Sequence, residues 1–397
     1  MAEPPAGAGP FGAHRWRGAG IAGAVVGVLA AAAVAGAVVE RLTAERTGRR
    51  EEARRAPDGS DTYGTLRGAP GRAVADDGTE LHYEIDEIED AGQHPARAAD
   101  PRHRPLRGRP VTVVFCHGFC LNQDSWHFQR AALRGLVRAV YWDQRSHGRS
   151  ERGAAQRAGA PVTIDQLGRD LKAVLDAAVP DGPVVLVGHS MGGMTVMALA
   201  AHYPDYVRRR VLGAALVGTS AGDLGQVNYG LPVAGVNALR RLLPGVFKLL
   251  GSRAAVLERG RRMTADLFAG LIKHYSFSAR DVDPAVARFA ERMIESTRIE
   301  VAAEFYPAFQ EHDKTGELGA LAGLPVLVLA GELDLVTPSD HGAAIVGLLT
   351  GAELVLVPDA GHLVMLERPE TVTAQLLELL VRATQYEGFR DRRAGNG

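Results

Sequence analysis

A serine becomes a nucleophile when it stands on a tight turn, with a base beside it and N–H donors aimed at the oxyanion that develops. Gly188-His189-Ser190-Met191-Gly192 offers such a turn. Small residues flank the serine because a strained strand-to-helix elbow leaves no room for larger side chains. The pattern is short, and the chain holds a second match, Gly218-Thr219-Ser220-Ala221-Gly222. Context separates the two. Ser190 lies between the apolar run PVVLVG and the helix-like MTVMALAAHYP, with Gly193 extending the close packing, whereas Ser220 is followed by the polar, glycine-rich AGDLGQVNYG. Ser190 is therefore the candidate nucleophile and Ser220 a strand-end turn serine. Of thirteen histidines, His362 stands out because Pro-Asp-Ala-Gly-His follows the last apolar strand-like run. A carboxylate that could orient it is Asp334, after LPVLVLAG; Glu332, Asp340 and Asp223 are other acids near strand ends.

The elements that must position these residues are legible from residue 73 onward. Glu80-Leu-His-Tyr-Glu-Ile85 alternates as a half-buried strand does. Short β-branched runs follow, of the kind buried on both faces: VTVVF (111–115), LVRAVYW (136–142), PVVLVG (183–188), RVLGAALVG (210–218), LPVLVLAG (324–331) and AELVLVP (352–358). Helical patterns separate most of them. Thr163-Ile-Asp-Gln166 is a capping box opening a helix with Leu167, Leu171, Val174 and Leu175 on one face. Met194 to His202 and Thr371 to Thr384 are further helices, the last closing the domain. Alternation of strand and helix predicts an α/β fold with a doubly wound, mostly parallel sheet. Between the fourth and fifth runs, residues 223–319 carry the helix-like pieces Gly235–Leu250, Ala254–His274 and Pro284–Phe305. An insertion of that size predicts a helical cap over the C-terminal edge of the sheet, where open α/β sheets hold their ligands.

VVFCHGFCLNQDSW, YWDQRSHGRS, VGHSMGG, LAGELDLVTP and PDAGHLVMLERPE resemble the successive landmarks of the α/β-hydrolase superfamily, in its esterase- and lipase-like serine branch, in their usual order. The resemblance runs from about 73 to 385 and misses the N-terminal segment and the cap. It implies a triad in the order Ser190, Asp334, His362: the imidazole takes the serine proton and passes it to the leaving group, and the carboxylate holds the useful tautomer. It also implies an oxyanion hole from the N–H groups of Phe119, in His117-Gly118-Phe119, and of Met191. His117 is then a structural hydrogen-bonding residue, as are Asp143 and Arg145 in the turn DQRSHGRS. Where many relatives carry glycine in that turn, this chain has Ser146.

Composition bounds the rest. The chain has 397 residues, 46% apolar and 23% charged, with a net charge of −1, which gives no field favouring nucleic acid. Cys116 and Cys120 are the only cysteines, too few for a disulfide framework and without zinc spacing. No metal-ligand cluster, phosphate loop or cofactor fingerprint is present, so no cofactor is expected and water is the only second reactant required. The start of the chain differs. After a tail (1–17), residues 18–39 are 22 positions without a charge, about 33 Å as a helix and long enough for a bilayer core. They predict an N-terminal hydrophobic helix and single-pass membrane association. A cleaved secretory signal and a core helix are the alternatives. Lys/Arg counting would leave the catalytic part cytoplasmic, a signal anchor would leave it outside. Residues 40–72 predict a charged linker, 91–110 an exposed loop, 73–222 with 320–385 the core, and 386–397 a C-terminal tail.

These features together predict hydrolysis of a small-molecule carboxylic ester, with an apolar acyl group, through an acyl-enzyme on Ser190. Thioester or C–C bond hydrolysis and cofactor-free haloperoxidase or perhydrolase chemistry are the alternatives within the fold, and a non-catalytic small-molecule receptor is the alternative outside catalysis.

Overall fold

Three consecutive residues of one strand face alternate sides of a sheet, so a run that is apolar throughout demands cover on both faces. The computed structural model, which describes residues 62–89, 111–224, 277 and 282–395, meets that demand. All of these residues belong to one compact unit. Its centre is an eight-stranded sheet. The strands are β1 (Ala69–Val74), β2 (Glu80–Asp86), β3 (Thr112–Cys116), β4 (Arg138–Trp142), β5 (Val184–His189), β6 (Val211–Val217), β7 (Val326–Gly331) and β8 (Glu353–Val357). Their order across the sheet is β1-β2-β4-β3-β5-β6-β7-β8. The pairs β1/β2 and β2/β4 are antiparallel and every other pair is parallel.

Every residue of β3, β5 and β6 is buried. The pleat sends them into two cores. Val113, Phe115, Val185 and Val187 join Trp126, Leu376 and Leu379 on one face. Val114, Cys116, Val184 and Leu186 join Leu171, Leu175, Val196 and Leu199 on the other. The helix Ile164–Ala178 begins where Thr163 accepts the Gln166 N–H at 3.1 Å. The reciprocal half of the expected capping box is absent, because the Gln166 amide turns to Asp76 at 2.8 Å and Asp170 at 3.1 Å. This helix crosses Met191–His202 at Gly168, where a β-carbon would stand 2.7 Å from the Ala198 backbone.

Several sequence expectations need correction. β1 begins at Ala69, inside the stretch expected as linker to residue 72: APGRAV is poor in apolar side chains, yet pairing along β2 satisfies its backbone without them. Tyr63 also packs against His127, Phe128 and Phe289 at ring separations of 5.3, 5.4 and 5.7 Å. The closing helix runs Pro369–Gly395, beyond the expected end at residue 384 and through the tail from 386, because no proline interrupts it after residue 369. The helix expected over Pro284–Phe305 is two, Pro284–Ser296 and Ile299–Glu311, since Thr297 takes an extended backbone (ψ 123°) that ends the first. The pieces Gly235–Leu250 and Ala254–His274, and the loop 91–110, lie outside the described residues. No helix among the described residues is long and apolar enough to cross a membrane, which overturns the expected single-pass membrane protein. Residues 18–39, with the hydrophobic helix or signal expected there, lie outside the described residues. Freedom from charge is a weak stand-in for hydropathy, because alanine and glycine present little apolar area for a bilayer to reward.

Candidate active site

Five parallel strands, β3, β5, β6, β7 and β8, end on one rim, and each releases a loop carrying one of the singled-out residues. After β5 the chain turns at Ser190, whose φ of 52° and ψ of −118° lie in a region that non-glycine residues rarely occupy. The turn survives because Gly188 and Gly192, two residues to either side, have no side chains. A β-carbon on Gly192 would stand 2.2 Å from the Cys116 carbonyl oxygen, and one on Gly188 would stand 2.4 Å from that of Gly192. The Ser190 N–H is tied to the Val217 carbonyl on β6 at 2.9 Å. Held in this way, Ser190 is only 8% exposed, but its hydroxyl faces an imidazole.

That imidazole is His362. Its Nε2 is 3.0 Å from Ser190 Oγ, and its Nδ1 is 2.9 Å from Asp334 Oδ2. The three side chains, 172 and 28 residues apart along the chain, thus form one chain of hydrogen bonds. The Asp334 carboxylate accepts three more bonds: from the Val336 N–H at 2.8 Å, the Thr337 N–H at 2.9 Å and the Thr337 hydroxyl at 2.9 Å. Burial on its own would raise the Asp334 carboxyl pKa. The His362 imidazole and the Thr337 donors outweigh it, so the carboxyl is held below the usual carboxylate range. With Asp334 ionised and accepting from Nδ1, the free lone pair of the imidazole faces the serine.

Two supports were not visible in the sequence reading. Thr337 stands three residues beyond Asp334, a spacing at which a side chain can close an Asx-type turn, and that was the available signal. His189, inside the elbow itself, lies 2.9 Å through its Nε2 from the His362 carbonyl, and its ring lies 4.9 Å from the His362 ring, tilted by 51°. Burial, then the neighbouring His362 ring, pushes the His189 imidazole down to about 3, so it stays neutral.

The oxyanion candidates are the N–H groups of Met191 and Phe119. Met191 opens the helix Met191–His202, whose first N–H groups have no partner within the helix. Phe119 follows β3. Among the described residues, neither backbone N–H has a backbone acceptor. Gly118 lets the loop approach: a β-carbon there would meet His189 Nδ1 at 2.6 Å. The Phe119 ring packs on Phe305 at 5.6 Å and Phe309 at 5.2 Å, both on the helix Ile299–Glu311, and Met191 shares an apolar cluster with Phe305, Met194, Leu224 and Val301. That helix is fastened to the core by the ion pair Arg152–Glu304, by Val162 N–H donating to the Glu304 carbonyl at 3.0 Å, and by His312 Nε2 at 2.8 Å from the Ser220 carbonyl.

The remaining singled-out residues have other partners. Ser220 is buried at the end of β6, its hydroxyl 2.5 Å from the Gly222 carbonyl and 2.8 Å from His341 Nδ1 rather than at His362. Asp143 accepts the Gln123 and Arg149 N–H groups at 2.8 and 2.9 Å. Arg145 holds Asp170 at 2.5 Å and Asp77 at 2.8 Å. His117 is sealed in the loop after β3, its Nε2 accepting the Gln144 N–H at 2.9 Å. Cys116 and Cys120 are both buried and free.

A family model described as the alpha/beta hydrolase fold matches residues 111–369. A dihydrolipoyllysine-residue acetyltransferase component of the acetoin cleaving system from Pseudomonas putida is 30% identical over 276 residues, 69% of this chain and 64% of the relative. This chain therefore spans less than two thirds of that relative's length. Among solved structures, a thermophilic esterase from Thermogutta terrifontis superposes with a TM-score of 0.59 at 25% identity, over 79% of this chain and 99% of the other. The enol-lactonase from Burkholderia xenovorans LB400 gives 0.57 at 26% identity, over 78% and 99%. The sheet order, the rim of loops and the matched span agree, and the chain belongs to the alpha/beta hydrolase fold family.

Proposed function

We propose that the chain hydrolyses a carboxylic ester of an apolar acyl group through an acyl-enzyme on Ser190. One observation carries the reading: Ser190 Oγ, His362 Nε2, His362 Nδ1 and Asp334 Oδ2 line up at 3.0 and 2.9 Å, on three separate strand-end loops. His362 takes the Ser190 proton as Oγ attacks the ester carbonyl carbon. The carbonyl oxygen becomes an oxyanion facing the N–H groups of Phe119 and Met191. Collapse expels the alkoxide, which leaves with the proton from His362. Water, deprotonated by the same imidazole, then attacks the acyl carbon, and the acid departs as Ser190 regains its proton. Asp334 stabilises the imidazolium formed in each half.

Two further observations support the choice of an ester and of an apolar acyl group. The similar proteins include an esterase and an enol-lactonase, both named for ester cleavage. The rings of Phe119, Phe305 and Phe309 gather beside one proposed oxyanion donor, and Met191, the other, belongs to the same apolar cluster.

Labelling with a fluorophosphonate, together with hydrolysis of p-nitrophenyl esters of rising chain length, tests the reading. Wild type should label and Ser190→Ala should not, with kcat falling by about 10⁶. Esters with longer alkyl acyl groups should give the higher kcat/KM. A folded wild type that neither labels nor cleaves any ester in the panel would refute the proposal.

A further inference from the structure

Two buried imidazoles grip the loop that carries Phe119. His117 stands before it, with Nδ1 2.7 Å from the Gly118 carbonyl oxygen and Nε2 accepting the Gln144 N–H at 2.9 Å. His147, in the turn after β4, accepts the Cys120 N–H on Nε2 at 3.2 Å, and its Nδ1 lies 2.9 Å from the Arg145 carbonyl. A ring nitrogen that accepts from an amide carries no proton, so in both rings the proton sits on Nδ1 and is donated to the carbonyl. Burial keeps both neutral, His117 pushed down to about 4 and His147 to about 3, the latter also by the His117 ring beside it.

The geometry turns these contacts into an aiming device. In a trans peptide the C=O and N–H point in opposite directions. The Gly118 carbonyl and the Phe119 N–H share one such peptide, and the Phe119 carbonyl and Cys120 N–H share the next. His117 and the Leu121 N–H, at 3.2 Å, fix the first plane from its carbonyl side, and His147 fixes the second from its N–H side. The second plane needs holding, because Cys120 sits at φ 58°, which a β-carbon disfavours. The His147 ring is itself wedged edge-on between Phe119 at 5.6 Å and Phe305 at 5.1 Å, so it also links this loop to the helix Ile299–Glu311.

We propose that His147 is a positioning residue for the oxyanion, acting through the Cys120 amide to keep the Phe119 N–H aimed at the tetrahedral intermediate. The inference rests on the reading of Phe119 as an oxyanion donor in ester hydrolysis. Its signal in the sequence is no more than a histidine within DQRSHGRS, and its effect arises from two loops that meet only in the fold.

The test compares His147→Asn, His147→Gln and His147→Phe with wild type and Ser190→Ala, using a p-nitrophenyl ester and an alkyl boronic acid that mimics the tetrahedral adduct. Rates are referred to the fraction of sites titrated by fluorophosphonate, so partial misfolding does not enter. Asparagine reaches the Nδ1 position and keeps the bond to Arg145, but offers nothing to the Cys120 N–H. Glutamine places an oxygen where Nε2 accepts, and phenylalanine keeps the ring packing while removing both bonds. The Asn and Phe variants should lose kcat about 10²-fold, with KM little changed and boronate affinity falling in parallel, whereas Gln should recover most of both. Equal kcat and boronate affinity in Asn, Gln and wild type would overturn the positioning role while leaving the triad intact. Full activity in Ser190→Ala would instead overturn the ester-hydrolase reading beneath it.

Discussion

At the scale of single residues, the proposed chemistry depends on keeping Asp334 charged in a buried place. Four atoms converge on its two oxygens, and the Thr337 hydroxyl is the one whose removal leaves shape almost unchanged. Thr337→Val should raise the Asp334 pKa, because the lost bond favoured the ionised form. The acid limb of the kcat/KM profile should then shift to higher pH, with a several-fold loss of kcat at neutral pH. An acid limb that stays in place would show that the two N–H donors suffice. Ser146 illustrates the residue scale differently. It takes φ 66°, a left-handed conformation that glycine adopts without cost, and this is the physical reason glycine would suit that turn. Ser190 and His362 were legible as types at strand ends. Thr337, His189 and His147 were not, because their roles come from what they touch in the fold.

The elements convert these residues into a site. Each strand-end loop inherits its place from a parallel strand, of which β3, β5, β6 and β7 are buried throughout, and the tightest junction is the elbow. Gly192 of the helix Met191–His202 lies against the Cys116 carbonyl, where a β-carbon would be 2.2 Å away. Both groups belong to backbone, so neither can rotate aside. Gly192→Ala should therefore cost about 2–3 kcal/mol or more, seen as a lower urea midpoint, and should lower the rate by displacing Met191. Unchanged stability would mean that the helix can lift away from β3. The apolar strands from β3 to β8 could be read directly, since runs such as VTVVF and PVVLVG allow little else. β1 could not, because an edge strand needs pairing more than apolar content. The break at Thr297 left no proline or glycine to announce it.

Across the whole molecule, buried neutral histidines set how the fold answers acid. His117, His147 and His189 are pushed down to about 4, 3 and 3 by burial, against an unfolded value near 6.5. For a lowered pKa the contribution to stability is complete above the unfolded value and is lost as pH falls, since the unfolded chain then binds the proton the folded ring refuses. Each ring should thus remove about 1.4 kcal/mol per pH unit below pH 6, until its folded pKa is reached. Urea midpoints at pH 7.5, 6 and 5 check this. His189→Gln should flatten the decline by one ring's share, and an identical slope in that variant would contradict a neutral His189.

The five strand ends that share one rim have a genealogical consequence. All three members of the Ser190–His362–Asp334 relay fall outside residues 218–325, the excursion between β6 and β7, although Phe305 and Phe309 come from it. The proposed relay and two of the rings beside the proposed oxyanion donor are therefore written in separate stretches of sequence. On the proposed reading, descent can lengthen, shorten or exchange the excursion, and so shift the acyl preference, while the relay passes on untouched.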